Sequence, residues 1–468
     1  MLILCIMVKD YYKRRLKFIN DYKTELNNTH PKLPDNIMSK NTTKYNLDSW
    51  FDVEKIKTNK VNNNIQYKNK FPKEVISCLQ VNMILNDTQK QIINKWFNSY
   101  IDMYNKTLSF VRDNCPIFKG IITYKKLNEI DMNKYGNMYY LRKMLIQEKN
   151  DIKVKSSINN NSKLEIHTHT LDYAISLFVS NLKSAYTNTI RGNFKHFTMK
   201  FMKHNKQSKV LEIEKQYIKN NMVCPFILGS IKYLYNNKDY TLPKITSNVK
   251  INYNSITDVY RLLIPIKNTP IKIDDKPRNL IVLDPGLRTF MTGLTEKEGL
   301  NIGTNVISTI KDKLKTLDKI NNNENIPKKI KKKNEQMINR KIHNKVDELH
   351  WKTINFLVTN FNNVLIGDMS SKQIVKKSNH ILSKNTKTAC LRTRYYEFRQ
   401  RLNYKCTLNK VNYVLVNECY TSKICSKCGC YNDKLKGEKI YNCTSCNLII
   451  DRDINACRNI YMKSLMNK

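Results

Sequence analysis

Four cysteines near the C-terminus have the spacing of a metal site. Cys425 and Cys428 form one C-x-x-C pair, and Cys443 and Cys446 form a second pair after fourteen intervening residues. Two such pairs can hold one zinc ion in a tetrahedron of four thiolates, which leaves no open coordination position. We therefore expect one structural Zn²⁺. Cys430 lies two residues beyond Cys428 and is an alternative ligand, but the spacing favours the other four.

Two aspartates lie where carboxylates could share metal ions. Asp284 ends an apolar strand, and Asp453 lies at the start of a C-terminal helix. Carboxylates that converge from strand ends and a helix can bind two Mg²⁺, a pair that activates water and stabilises the leaving oxygen in phosphodiester hydrolysis. Each aspartate also has a simpler interpretation. Asp284 could belong to an ordinary Asp-Pro-Gly turn, and Asp453 could be an N-cap or first-turn acid facing the helix dipole.

Three strands that each end in an acid would position these carboxylates. After the strand that ends at Asp284, residues 363–368 repeat the pattern and end at Asp368, and residues 411–418 end at Glu418. Amphipathic helical patterns lie between these strands. Buried-type strands that alternate with helices predict an α/β domain, which we place at residues 276–468.

The sequence upstream predicts two further regions. Residues 1–70 are polar and rich in Asn and Lys, which predicts a basic, loosely ordered extension. Residues 71–275 combine short alternating strands with helical patterns. This combination indicates a small β domain with helices inserted at about residues 87–195.

The charge balance indicates a polyanionic partner. The chain of 468 residues carries 82 Lys and Arg against 39 Asp and Glu, a formal net charge of +43. A surplus of this size destabilises the compact state unless a polyanion neutralises it, and binding to nucleic acid gains entropy from released counterions. An AT-rich coding bias is the alternative. It explains a preference for Lys over Arg, but not the shortage of acids.

Composition argues against secretion and membrane insertion. No apolar run approaches the ~20 residues of a membrane span. The apolar residues 1–8 are too short for a signal peptide and have no basic segment ahead of them. The 13 cysteines are odd in number and mostly scattered, unlike a secreted disulfide framework. We expect a reducing compartment, the nucleus or the cytoplasm.

The C-terminal motifs, taken in order, resemble the nuclease half of the TnpB family. The segments are IVLDPGLRTF, TSKICSKCG, YNCTSC and DRDINACRNI. TnpB proteins are RNA-guided DNA endonucleases with a RuvC-type, RNase H-like nuclease that a zinc ribbon interrupts. The Asp-Pro-Gly form of the first motif and the segment NECYTSKICSKCG are more similar to the eukaryotic and giant-virus relatives called Fanzor. The likeness extends from about Phe71 to the C-terminus and is specific after Leu280.

The resemblance implies a domain organisation and partners. It implies an RNase H-like (RuvC) nuclease with a zinc ribbon at about residues 419–450, and an N-terminal small β-barrel (wedge) domain that carries a helical recognition insertion. The partners would be a guide RNA encoded near the gene and double-stranded target DNA with a short flanking motif. The location would be the nucleus or cytoplasm of a eukaryotic cell, including a virus-infected one.

The resemblance also assigns the acids. Asp284 matches the first RuvC aspartate and Asp453 the aspartate of the third motif. TnpB proteins carry a Glu at the end of the second strand, where this chain has Gly367. Asp368 is one residue on, and strand alternation turns it to the other face. Glu418 matches the relocated glutamate of Fanzor proteins, so we expect Asp284, Glu418 and Asp453 to bind two Mg²⁺.

Arginines on a predicted helix at about residues 391–402 are candidates for phosphate contacts. Arg392, Arg399 and Arg401 lie between the second and third acid-bearing strands. Arginine forks match phosphate oxygens, which favours contact with a guide–target duplex. A solvated helix face is the alternative for each of them.

The predicted function is an RNA-guided, Mg²⁺-dependent DNA endonuclease of a mobile element. Two alternatives remain at this point: a nuclease-inactive, regulatory nucleic-acid-binding protein, and a DNA transposase without an RNA guide. The glycine at position 367 is the main sequence feature in favour of an inactive nuclease.

Overall fold

The computed structural model divides the chain into two compact units. One unit is Met1–Val75 with Asn268–Lys468, and the other is Ile76–Lys267. Among the described residues, no helix combines the length and apolar character that crossing a bilayer requires. The residues that the structure describes are 41–43, 51–57, 71–146, 168–272, 276, 278–375, 382–435 and 437–466.

Strands and helices are numbered here along the chain. The strands are β1 (Asn41–Thr43), β2 (Val53–Lys57), β3 (Val75–Ile84), β4 (Ile122–Thr123), β5 (His196–Phe197), β6 (Ser208–Ile213), β7 (Ile218–Lys219), β8 (Met222–Val223), β9 (Lys232–Tyr235), β10 (Lys238–Asp239), β11 (Val249–Asn254), β12 (Val259–Asn268), β13 (Arg278–Pro285), β14 (Met291–Thr295), β15 (Glu298–Ile302), β16 (Phe361–Gly367), β17 (Asn412–Val416), β18 (Ile440–Asn442) and β19 (Ile449–Asp451). The α-helices are α1 (Asp87–Asn114), α2 (Met132–Tyr135), α3 (Met138–Ile146), α4 (Thr168–Ile190), α5 (Pro225–Leu228), α6 (Val306–Asn322), α7 (Lys328–Asn360), α8 (Ser371–Ile374), α9 (Lys384–Arg392), α10 (Tyr395–Leu408) and α11 (Arg452–Met466). Short 3₁₀ helices cover Pro116–Lys119, Tyr124–Glu129 and Lys215–Tyr217.

A seven-stranded mixed sheet forms the centre of the unit that contains the C-terminus. Its strand order is β1-β2-β15-β14-β13-β16-β17. Neighbours β13, β14 and β15 are antiparallel, whereas β16 and β17 continue parallel to β13. Parallel neighbours need crossover connections, and helices α6 and α7 precede β16 while α8, α9 and α10 precede β17. This mixed α/β architecture confirms the α/β class predicted for the C-terminal part.

The two faces of this sheet pack against different helices. Ile281 and Leu283 belong to one apolar core with side chains of α6, α7, α9 and α10. Leu280 and Val282 belong to a second core with side chains of α11. Because successive side chains in a strand point to opposite faces, Asp284 continues the set that faces α11.

Strand β2 corrects the prediction for the N-terminal residues. It pairs antiparallel with β15, and Phe51 and Val53 are buried in the core of the same unit. Asp52 accepts hydrogen bonds from the backbone N and Oγ1 of Thr304 at 3.0 and 2.6 Å. A loosely ordered extension is therefore the wrong description of residues 51–57. The apolar alternation here is too short to stand out in a polar stretch, and most of residues 1–70 lie outside the described residues.

The unit Ile76–Lys267 is built on a six-stranded sheet. The strand order is β10-β9-β3-β12-β11-β6. Between β3 and β6 the chain forms α1 to α4, and helices α1 and α4 share one apolar core with the sheet. Helix α1 begins at a capping box in which the Asn86 side chain accepts from Gln89 N, and the Gln89 side chain accepts from Asn86 N. The wedge-barrel and recognition assignments for this unit stay predictions.

The helix predicted at about residues 391–402 is two helices. Helix α9 ends at Arg392 and α10 begins at Tyr395. Between them Thr393 Oγ1 donates to Cys390 O at 2.6 Å, and Arg394 adopts a left-handed backbone with φ of 52°. Ion pairs from Arg394 to Asp347 and Glu397 hold this break. The single-helix prediction was wrong because an apolar stripe continues across the break.

Candidate active site and metal centre

Asp284 lies at the carboxyl end of the central strand. Its strand β13 pairs with β14 on one side and, in parallel, with β16 on the other. The side chain is partly exposed, yet protein atoms surround it closely enough that burial is the largest cause of its raised pKa. The charges of Glu418 and then Asp453 raise this pKa further, and Arg452 opposes them. The aspartate therefore lies among other carboxylates.

Glu418 fills the space that Gly367 leaves open. Gly367 pairs with Val416 in the parallel ladder between β16 and β17, and Glu418 follows two residues later. An ideal Cβ built on Gly367 would lie 2.5 Å from Glu418 Oε2. The glutamate therefore occupies the position of a side chain that the second strand lacks. The Asp368 side chain holds the backbone of Glu418, because Asp368 Oδ1 accepts a hydrogen bond from Glu418 N at 3.1 Å.

Asp453 reaches the same site from the first turn of α11. The helix is capped by Asp451, whose Oδ1 accepts from the backbone N of Asp453 at 2.8 Å and of Ile454 at 3.2 Å. The capping role is thus taken by Asp451, and the Asp453 carboxylate is not needed for it. Ile454, with Cys457 of the next turn, packs against β13, which fixes the helix over the end of that strand.

The electrostatics of the three acids fit a site for cations. Burial first, and then the charge of Asp368, raise the pKa of Glu418 to about 7. Burial and then Asp451 raise the pKa of Asp453. Glu418 Oε2 is buried and has no hydrogen-bond partner among the described residues. Carboxylates that repel one another at low dielectric, with an unpaired oxygen, are a donor set that divalent cations would satisfy.

Basic side chains surround the acids. Arg452 and Arg288 lower the pKa of Asp453, while Arg399 and Lys463 lower that of Glu418. Arg288 is exposed on the loop after β13 and donates to Gly437 O in the ribbon. Positive charge beside an acidic cluster suits a phosphodiester, whose charge the carboxylates alone would repel.

The four predicted cysteines form a compact thiol cluster. All four Sγ atoms lie within 4.8 Å of one another. Cys425 Sγ lies 3.6 Å from Cys446 Sγ, and Cys428 Sγ lies 3.5 Å from Cys443 Sγ. These separations fit one metal ion bound by four thiolates, and zinc is the ion that this donor set indicates. Among the described residues, Cys430 is not part of the cluster.

The two C-x-x-C turns have the same backbone geometry. Cys425 N donates to Cys430 O, and Cys443 N donates to Leu448 O, both at 2.9 Å. The residue after each second cysteine has positive φ, 77° at Gly429 and 55° at Asn447. Glycine and asparagine are the residues that tolerate this conformation best. Sequence therefore specifies both turns locally.

Backbone N–H groups in the second turn favour a thiolate. Burial raises the pKa of the Cys443 thiol, but hydrogen bonds from the backbone of Cys446 and Ser445, and then from the thiols of Cys428 and Cys446, outweigh it and bring the pKa to about 7. Metal binding requires deprotonated thiols. The turn thus prepares Cys443 as a ligand.

Comparisons with known proteins identify relatives of this chain. The family model described as "Cas12f1-like, TNB domain" matches residues 395–460, which include the thiol cluster and Asp453. TnpB-like protein L770 of Acanthamoeba polyphaga mimivirus is 32% identical over 406 residues, covering 85% of this chain and 75% of the relative. The chain belongs to the TnpB/Fanzor family. A further relative from the same virus, named "Putative transposase R186", is 25% identical, covering 92% of this chain and 90% of the relative.

Solved structures related to this TnpB/Fanzor chain are more distant. The Cas12f1–sgRNA–target DNA complex is 14% identical, has a TM-score of 0.37, and covers 83% of this chain and 99% of that chain. The mini-RNA-guided endonuclease CRISPR-Cas_phi3 is 10% identical and has a TM-score of 0.45. The match covers 86% of this chain and 94% of that chain. Membership of the family rests on the sequence relatives.

The predicted arginines have different environments in this family member. Arg401 pairs with Asp347 at 2.7 Å and with Glu397, and its guanidinium lies over the Trp351 ring at 5.1 Å. These contacts occupy donors of the Arg401 guanidinium within the unit, and its contact with phosphate stays a prediction. Arg392 and Arg399 are partly exposed, and their contact with phosphate stays a prediction.

Sequence reasoning missed several residues of this TnpB/Fanzor site. Arg288, Asp451 and Arg452 adjoin the acids, and Asn455 and Asn459 on α11 bond to the chain ahead of the thiol cluster. One signal was available, since the spacing of the two asparagines places both on one helix face. The partners of that face depend on tertiary structure and had no local signal.

Proposed function

We propose that this chain is an RNA-guided DNA endonuclease of a mobile element. The observation that supports this most is the position of Glu418, whose Oε2 lies where a Gly367 side chain would begin. It gives Asp284 and Asp453 a third carboxylate despite the glycine in the second strand. An acid set assembled from two strands and a helix suits two-metal phosphodiester hydrolysis.

The carboxylates would hold two Mg²⁺. Asp284, Glu418 and Asp453 are the residues that would hold these cations. When bound, the cations activate a water and stabilise the leaving 3′ oxygen, so that cleavage gives 5′-phosphate ends. The protein orients Glu418 and Asp453. It does so through the α11 cap at Asp451 and the bond from Glu418 N to Asp368.

The fold and the thiol cluster support the same proposal. The strand order β15-β14-β13-β16-β17, in a mixed sheet with β14 antiparallel, supports an RNase H-like (RuvC) nuclease. Zinc bound by Cys425, Cys428, Cys443 and Cys446 would be structural, since four ligands leave no open position. The helical and β parts of Ile76–Lys267 would serve as recognition and wedge regions.

The proposed partners are a guide RNA encoded near the gene and double-stranded DNA with a short flanking motif. Base pairing with the guide would choose the target, while the protein contacts the backbone and the motif. The net charge of +43 supports binding of both nucleic acids. The mimivirus relatives favour the nucleus or cytoplasm of a eukaryotic cell as the location.

Transposition without a guide is the second candidate, favoured by the name of the relative R186. One experiment separates the two. The gene is expressed with its flanking sequence, the copurified RNA is sequenced, and the complex is reprogrammed against a plasmid that carries a randomised flank. We expect a defined RNA and guide-dependent cuts that require Mg²⁺, with Asp284→Ala binding but not cutting. Protein without RNA that joins only element ends would overturn the proposal, as would guided binding without cleavage.

A further inference from the structure

Helix α11 presents a row of three polar side chains to the segment 417–426. Asn455, Asn459 and Lys463 are spaced by four residues and so lie along one helix face. The two asparagines are buried, with 0% and 1% of their surface exposed. We call these three residues the α11 clasp. Segment 417–426 carries Glu418 at one end and the first zinc-binding turn at the other.

The asparagines bind the zinc end of the segment. Asn455 Nδ2 donates to Ile424 O at 2.8 Å, and Asn455 Oδ1 accepts from Ser426 N at 2.8 Å. Asn459 Nδ2 donates to Thr421 O at 2.6 Å and to Ile424 O at 2.7 Å. Each amide thus makes two bonds with backbone groups of the segment.

The glutamate end is held by the same helix. Lys463 Nζ donates to Asn417 O at 3.1 Å and to Cys419 O, the carbonyls on either side of Glu418. The Glu418 carbonyl itself accepts from Thr421 N at 3.1 Å and Thr421 Oγ1 at 2.8 Å. Since Asn459 holds Thr421, the path from the helix to Glu418 is continuous.

Stability alone is a weak reason for this arrangement. Burying an amide costs free energy unless every polar atom is bonded, and apolar residues of similar size would pack against segment 417–426 without that condition. Asparagine is also a poor helix former. A row of bonded polar side chains instead fixes one register between two backbones. Here the backbones carry Asp453 and Glu418.

We propose that Asn459 and Lys463 are positioning residues that set the placement of Glu418 relative to Asp453, and thereby the affinity of the acid site for divalent cations. The inference rests on the proposed function. Glu418 lies two residues beyond Val416, the last paired residue of β17, so the strand ladder alone does not fix its position. The clasp supplies that constraint from the helix that holds the third acid.

Two variants test the proposal. Asn459→Leu removes the hydrogen bonds that Asn459 Nδ2 donates to Thr421 O and Ile424 O, without a change of charge. Lys463→Met removes the ammonium and keeps an unbranched side chain of similar length. We expect each to raise the Mg²⁺ concentration for half-maximal single-turnover cleavage by about tenfold, with the rate recovering at high Mg²⁺. Lys463→Arg should restore the wild-type value. Exposed Lys319 on α6 provides the control, Lys319→Met, which removes the same charge elsewhere.

A second readout does not depend on cleavage. Mn²⁺ binding to the same variants, measured by electron paramagnetic resonance, should weaken by a similar factor, and hydrogen exchange should accelerate at residues 417–426 while the zinc content stays at one ion per chain. Unchanged Mn²⁺ affinity in both variants would overturn the inference, as would a rate loss that high Mg²⁺ does not recover. A wild-type protein that binds Mn²⁺ more tightly than both clasp variants do, but does not cut DNA, would contradict only the proposed function.

Discussion

Position 367 decides which strand supplies the middle acid. A Cβ on Gly367 would lie 2.5 Å from Glu418 Oε2 and 3.2 Å from Pro285 Cδ. The first distance is shorter than any ordinary contact, so a side chain at position 367 and the observed Glu418 carboxylate exclude each other. Glycine here is therefore part of the acid site, and its absence of a side chain is not evidence of an inactive nuclease.

We expect Gly367→Ala to reduce the cleavage rate by about tenfold to a hundredfold. The added methyl group would displace the Glu418 carboxylate, and a displacement of about 1 Å at a reacting centre can cost that much in rate. Gly120→Ala is the matched control, since no atom lies within 4 Å of its added Cβ. Single-turnover cleavage at equal RNA occupancy measures both. Full activity in Gly367→Ala would mean that Glu418 does not need its observed position.

The two candidate middle acids differ in what they contact. Glu418→Gln should abolish cleavage, because it removes the charge of a carboxylate whose Oε2 has no hydrogen-bond partner among the described residues. Asp368→Ala should retain most activity, since Asp368 Oδ1 accepts from the backbone N of Glu418 at 3.1 Å and Asp368 is not one of the three proposed ligands. Guided plasmid cleavage by both variants is the measurement. The reverse ranking would make Asp368 the ligand.

Sequence predicted the residues of the site whose signal is local. The cysteine spacing and the acids at 284 and 453 are visible in short motifs, and the structure brings these groups together as expected. Glu418 needed the resemblance, because its neighbours depend on strand register. The ion pair of Arg401 with Asp347 on α7 could not be predicted, because a charge on a helix gives no sign of the residues that face it.

At the scale of elements, the zinc ribbon depends on its thiols. Cys443→Ser should lose the metal and loosen residues 419–450, because four thiolates are the main link between the two turns. Cys430→Ser should keep one zinc per chain, as Cys430 lies outside the cluster. Metal analysis and limited proteolysis test both variants. Zinc retained by Cys443→Ser and lost by Cys430→Ser would exchange the roles of the two residues.

A buried histidine joins helices α7 and α10. His350 Nδ1 lies 3.2 Å from Nη1 of Arg401, and because a guanidinium can only donate, Nδ1 must accept. The other ring nitrogen, Nε2, then carries the proton and donates to Thr393 O at 2.9 Å. Both bonds require the neutral ring. Burial is the largest cause that lowers the pKa of His350, to about 3, and Arg401 lowers it further.

This histidine should make the unit less stable in acid. Its folded pKa of about 3 lies below the unfolded value of 6.5, so its contribution is complete above pH 6.5 and is lost as pH falls towards 3. Between pH 7 and pH 5 the free energy of unfolding should fall by about 2 kcal/mol more than in His350→Gln, whose amide can accept and donate in the same way. Urea unfolding at both pH values measures this difference. Equal losses would mean that the ring is not held neutral.

Elements were predicted well where their pattern was long. The strand that ends at Asp284 and the helix that begins at Asp87 have clear periodicity and clear boundaries. Strand β2 was missed because its stability comes from pairing with β15, which is far away in sequence. The break at Arg394 was missed because ion pairs with other residues hold its left-handed backbone.

At the scale of the whole molecule, the net charge of +43 opposes compaction of the free protein and favours binding to nucleic acid. Added salt screens the repulsion between positive charges within the free protein, so it should raise the unfolding temperature. It also screens the attraction between the protein and RNA, so it should weaken RNA binding. A complex with 6–10 phosphate contacts loses about 10³–10⁵ in affinity between 50 and 200 mM salt. We expect a loss of at least about 10³ for the copurified RNA.

Filter binding across this salt range measures the affinity, and calorimetry of the free protein measures the unfolding temperature. Sucrose at equal osmolarity is the control, because it leaves charges unscreened. A scrambled RNA of the same length should show the same salt slope with weaker binding, since phosphates set the slope and the folded RNA sets the preference. Affinity that does not change with salt would mean that the lysines reflect coding bias and not a surface that binds phosphates.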